Sequence, residues 1–167
     1  MNDNDLRQAI EDLGLGGPPA QWKRVYYEYI LNFNTTITAG SAGTATQQIN
    51  QGGAFVCQAI KGAVYIPADN TAVAYTPFYH RISENTIADL TWESLLSCTL
   101  DLRTVDTNWF SAPILCNLIM GDALNPFILP TTRPIAANDE ITATLQNNSG
   151  ESIRGQVCLC GHKLMRR

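Results

Sequence analysis

Residues 140–164, EITATLQNNSGESIRGQVCLCGHKL, decide the fold. In the first part Ile141, Ala143 and Leu145 alternate with Thr142, Thr144 and Gln146, the period of two that puts one face of a strand inside and the other in water. NNSGES is turn chemistry, and GQVCLCGHKL reads as a closing strand. A strand, a tight connection and a second strand of this kind form the wall of an antiparallel sheet.

The same grammar extends outward. LSCTLDLRT (96–104) alternates Leu96, Cys98, Leu100 and Leu102 with polar residues. Upstream, Pro126, Pro130 and Pro134 bracket the apolar FIL and enforce an extended, edge-like path. APILCNLIMG (112–121), apolar on both faces, suits a central strand, and 86–95 a short helix. VYYEYILNF (25–33), GAFVCQAIKGAVYI (53–66) and TAVAYTPFY (71–79) are further strands. Gly62 predicts a bulge or bend in the second of these, and Pro67 its end. The small-residue segment 35–46 reads as a loop or hairpin tip. At the N-terminus, residues 5–13 predict a helix capped by Asp5, with Leu6, Ile10 and Leu13 on one face, ended by Gly14, Gly16, Gly17, Pro18 and Pro19. So short a helix is unstable alone and must dock on its own domain or on a neighbouring subunit.

About eight strands without a βαβ rhythm predict an all-β fold, an antiparallel β-sandwich or jelly roll with a short N-terminal helical arm. The expected division is residues 1–21 for the arm and its Gly/Pro linker, and 22–167 for the sandwich. With 167 residues, 45% of them hydrophobic, the chain is long enough for one sizeable core.

Charged residues make up 16%, against roughly 25% in an average soluble protein, so much of the surface is neutral and polar. The net charge of −4 and scattered Lys and Arg offer no footprint for a phosphate backbone, and nucleic acid is not an expected partner. No apolar run has the length of a membrane span and MNDNDLRQAIEDL is not a signal peptide, so synthesis in the cytoplasm without a membrane partner is expected.

Cys158, Cys160 and His162, two apart, share one face of a strand, and thiolates with an imidazole are good zinc ligands. Zinc sites favour knuckle spacings, however, and nothing nominates a fourth ligand among Cys57, Cys98, Cys116 and His80. The five cysteines are expected as buried free thiols, with no metal and no cofactor. Neither histidine has a marked nucleophile beside it, no carboxylate pair stands out, and Gly52–Gly53 lack the lysine of a phosphate loop. The expected protein is not an enzyme. Aromatics in WKRVYYEY, beginning at Trp22, and in TNWF suit a core or a subunit interface, and Trp109 and Phe110, beside Asn108, are the best candidates for contact outside the domain. Leu6, Ile10, Leu13 and Trp22 complete the candidate interaction set.

GGAFVCQAI, then SCTLDLRT, then NWFSAPILCNLIMGDALNPFILPTTRPIAANDEITATLQNNS and a terminal VCLCGHKL together resemble small β-sandwich virion proteins of tailed bacteriophages. The shared features are a proline-rich segment, an Asn-Asp turn, an alternating strand ending L-x-N and a closing strand ending L-x-G-x-K. They cover about residues 53–164. The resemblance implies a non-enzymatic capsid decoration or cement subunit, located in the virion, with itself and major capsid or other virion proteins as partners. Alternatives are a neck or tail accessory subunit, or a carbohydrate- or receptor-binding jelly-roll module. In the last case, Trp109 would stack on a sugar ring.

Overall fold

A computed structural model describes residues 3–67, 75–77, 98–121 and 124–167. Among them the order is α1 (Asp3–Asp12), a 3-10 turn (Pro19–Gln21), β1 (Trp22–Ile37), β2 (Ala42–Gln48), β3 (Ala54–Pro67), β4 (Tyr75–Pro77), β5 (Cys98–Thr104), β6 (Ile114–Leu115), a single helical turn α2 (Cys116–Ile119), β7 (Phe127–Ile135), β8 (Glu140–Asn147) and β9 (Ile153–Arg166). The chain is an all-β antiparallel sandwich with a short N-terminal helix.

Two sheets make the sandwich. The larger runs β1-β9-β3-β4, with β7 also pairing β3, and the smaller runs β2-β8-β5-β6. Alternation sets which side chains meet between them. Tyr29, Leu31 and Phe33 of β1, Phe55, Cys57, Ile60 and Val64 of β3, and Val157 and Leu159 of β9 face Leu100 and Leu102 of β5 and Ile141, Ala143 and Leu145 of β8 in one continuous core. Fully burying each large aliphatic or aromatic side chain of this set stabilises the fold by roughly 1.5–3 kcal/mol before entropy is counted.

β9 lies between β1 and β3 and is therefore covered on both edges. The wall expected of GQVCLCGHKL is the middle of the larger sheet. The β3–β9 register shifts by one residue at a bulge between Cys57 and Ala59, where Cys57 faces Gly161 and Ala59 faces Cys160. The bulge sits at Gln58 rather than at Gly62. Gly62 instead answers to crowding: its N–H donates to the Gly121 carbonyl at 2.9 Å, and a Cβ there would run into Met120 and the Gln156 carbonyl oxygen.

Three other expectations change. The segment 112–121 is not a central strand. After Pro113, which has no N–H for a ladder, Ile114 and Leu115 pair with β5, and Gly121 makes an isolated bridge to Lys61 of β3. Cys116, Ile119 and Met120 then turn inward at helical spacing, so one apolar run served two local structures. Of 35–46, expected as a loop or hairpin tip, 35–37 end β1 and 42–46 begin β2 (Ala42–Gln48), because a full ladder with β8 outweighs the low strand propensity of Gly and Ala there. Asp5 is not a cap, since α1 already starts at Asp3 and Asp5 lies in its first turn, where a carboxylate suits the helix dipole. The helix expected over 86–95, most of 71–79 and His80 lie outside the described residues. β7 matches its reading as a proline-marked edge strand, pairing β3 alone among the described residues.

Candidate functional site on the outer face of the larger sheet

The face of the larger sheet turned away from the core carries the molecule's concentrated chemistry. Strand register lays it out in rows: Tyr26, His162, Val56 and Pro134; then Glu28, Cys160, Ala59 and Ile128; then Ile30, Cys158 and Lys61. Alternation along β1, β3 and β9 puts all of these side chains on one surface.

At its centre Lys61 Nζ donates to Glu28 Oε1 at 2.7 Å, and the Tyr26 hydroxyl donates to the same oxygen at 2.7 Å. Both partners of the ion pair are about 70% shielded from water. Hydrogen bonds from Lys61 and Tyr26 draw the Glu28 carboxyl down to about 2. The same contact raises Lys61, and the bond to Glu28 raises Tyr26, so near neutrality Glu28 and Lys61 are a charged pair and Tyr26 is a neutral hydroxyl donor to it.

Beside it lie the two thiols. Cys158 Sγ is 3.9 Å from Cys160 Sγ and 3.5 Å from Glu28 Oε2, and Cys160 Sγ is 3.8 Å from Glu28 Oε1. Both residues are buried and pack on Ala59. Desolvation, then the neighbouring Cys160 and Glu28, pushes the Cys158 thiol up to about 12. A thiol so held is protonated at neutral pH and a poor nucleophile. Burial likewise raises Cys98 to about 11 and Cys116 to about 12, and raises Cys57 further still. All five cysteines are free and buried.

His162 shares the face with Cys158 and Cys160, as the spacing predicts, but turns to other partners. Its Nδ1 donates to Gln58 Oε1 at 2.8 Å, and its ring stands edge-on to Tyr26 at 5.9 Å. Burial holds its pKa below the ordinary value. The donor cluster is therefore Glu28, Cys158 and Cys160.

The end of this face nearest the chain terminus is covered by α1. Leu6, Ala9 and Ile10 pack on Val56 and Leu164, with Leu13, Leu15 and Trp22 at the margin. The helix ends in a Schellman motif. Gly14 takes φ +60°, its N–H bonds Glu11, and Leu15 N–H bonds Ile10 at 2.8 Å, folding Leu15 back onto the same patch. Of the two docking sites open to this helix, the chain's own sheet is the one occupied. The Trp22 indole N–H is buried there without a hydrogen-bond partner among the described residues.

Trp109 and Phe110 sit elsewhere. Trp109 is 4% exposed and belongs to the core, and Phe110 packs against that core. The expected outward contact of Trp109 is corrected by its backbone: Trp109 N–H bonds the Leu102 carbonyl at 2.9 Å and its own carbonyl accepts from Arg133 at 3.0 Å, which folds the loop inward. The exposed apolar side chains of the outer face are instead Tyr26, Ile30 and Ile128.

Glu28, Lys61 and Tyr26 belong to no motif in the sequence, yet two signals mark them. Tyr26 and Glu28 stand two apart in VYYEY, hence on one face. Lys61 is the lone charge in a fourteen-residue apolar strand and requires a partner once that strand is central.

No family model, curated protein or solved structure matches this chain.

Proposed function

We propose that this protein is a non-enzymatic structural subunit of a tailed-phage particle, an auxiliary capsid decoration or cement protein that acts through contacts of its larger sheet. The observation that carries the reading is the edge strand β1. It is sixteen residues long, pairs with β9 alone among the described residues, and carries exposed Tyr26 and Ile30 next to its open edge. Long uncovered edges are templates for association unless something occupies them. Cys158, Cys160, Ala59 and the Glu28–Lys61 pair lie between this edge and exposed Ile128 on β7, so exposed apolar side chains flank an internally paired centre.

A low-charge sandwich of this kind suits repeated symmetric contacts, in which binding energy present only in the assembled state stabilises the shell by mass action. The order of proline-rich edge, Asn-Asp turn, alternating strand and closing strand supports the virion reading in particular. The placement of Trp109 in the core takes away one of the rings on which the carbohydrate-binding alternative rested; Tyr26 of WKRVYYEY stays exposed.

A mass-spectrometric inventory of purified particles from the system that encodes the chain is the direct test. The expected result is this chain at a fixed ratio to the major capsid protein. Its absence from particles, with the protein found free in the lysate, would overturn the assignment.

A further inference from the structure

We propose that Glu28, Cys158 and Cys160 form a binding site for a single zinc ion on the outer face of the larger sheet. The case rests on how closely the distances already match a coordination sphere. Two thiolates about 2.3 Å from a tetrahedral zinc stand about 3.8 Å apart, and a thiolate and a carboxylate oxygen stand about 3.5 Å apart. Here the sulfurs are 3.9 Å apart, and Glu28 Oε2 is 3.5 Å from Cys158 Sγ. One donor atom from each of Glu28, Cys158 and Cys160 lies within 4.8 Å of the other two, so one ion among them reaches both sulfurs and the Glu28 carboxylate with small side-chain adjustments. Oε1 stays with Tyr26 and Lys61, which fix the carboxylate's orientation as partners of metal ligands generally do.

Charge selects the metal. Two thiols beside the Glu28–Lys61 pair are neutral overall. Replacing their two protons by one divalent cation leaves two thiolates, one carboxylate, one ammonium and the metal, again neutral, beside an ion pair whose side chains are about 70% shielded from water. A monovalent copper ion would leave one negative charge there, and the oxygen donor also suits zinc better than copper(I). Binding breaks two S–H bonds, forms two metal–sulfur bonds and releases two protons to solvent. Three protein ligands leave the fourth position to water.

The spacing between the two cysteines is unlike a knuckle because no turn is needed. A strand already sets residues two apart on one face, and the neighbouring strand supplies the third ligand through the Glu28–Cys160 register. The site stands independently of the assembly reading.

Cobalt(II) titration of the full, reduced chain tests it. The expected result is one equivalent bound, with a thiolate-to-cobalt charge-transfer band, displaced by one equivalent of zinc. The band disappears in Cys158→Ser and in Cys160→Ser and persists in Cys98→Ala. Glu28→Gln, which leaves both thiols and the sheet intact, weakens cobalt binding by at least about tenfold. Absence of the band in the reduced chain, its survival in the Cys158→Ser/Cys160→Ser double variant, or unchanged affinity in Glu28→Gln would each overturn the proposal. Circular dichroism on every variant confirms that a folded sheet is being compared.

Discussion

Asn147 is fully buried and polar, and every hydrogen bond its side chain makes ties one end of the sandwich together. Its amide donates to the Ile37 carbonyl at 3.0 Å and to the Glu151 carbonyl at 2.7 Å, while its oxygen accepts from Ser149 N–H at 3.0 Å and Ser149 Oγ at 2.6 Å. Its main chain bonds Gly40 and Ser41 as well. Two of the chain crossings between the sheets, β1 to β2 and β8 to β9, are thus pinned by one residue. Asn147→Ala strands buried donors and acceptors on both and is expected to cost about 3 kcal/mol in urea unfolding. In the sequence this asparagine is indistinguishable from its turn neighbours, because a local pattern carries no record of partners 110 residues away. Glu28 is a second residue whose role emerges from the fold. Its folded value of about 2 lies below its ordinary 4.5, so its pairing contributes fully above pH 4.5 and is lost as pH falls towards 2. Partial exposure limits the effect to less than about 1 kcal/mol. Glu28→Gln is expected to flatten the acid limb of a stability-against-pH curve in that window and leave the curve's shape above pH 5 unchanged.

Secondary structure was most legible where period and burial agree. Ile141, Ala143 and Leu145 of β8 and Cys98, Leu100 and Leu102 of β5 face the core as their alternation predicts, since a slip of one residue would turn every one of them to water. Reading faltered where an apolar run had no period, as in 112–121, and where small residues had weak propensity but a strong ladder, as in β2. It also left open which surface α1 covers, because an apolar stripe specifies burial without naming the partner. The structure places the stripe on Val56 and Leu164. Ile10→Ala is accordingly expected to destabilise the whole domain by about 2 kcal/mol, measured by thermal or urea unfolding. An arm serving only attachment to another subunit would leave the isolated chain's stability unchanged.

For the molecule as a whole, the sandwich, its antiparallel sheets and its core were all legible in alternation and turn chemistry. The outer face was not, because it is assembled from three strands distant in sequence, and its exposed apolar residues Tyr26, Ile30 and Ile128 look like ordinary strand residues one at a time. Together they give the molecule a sheet face bordered by an edge that is open among the described residues, and the central claim is that this surface makes the contacts of an assembling subunit. Sedimentation across a wide concentration range, comparing the native chain with the Ile30→Lys/Ile128→Lys variant, measures it most directly. Both positions are exposed, 46% and 66%, so the variant is expected to fold. A defined native oligomer that becomes monomeric in the variant is the expected result; a native chain that stays monomeric throughout, or an oligomer indifferent to the two lysines, would contradict the claim.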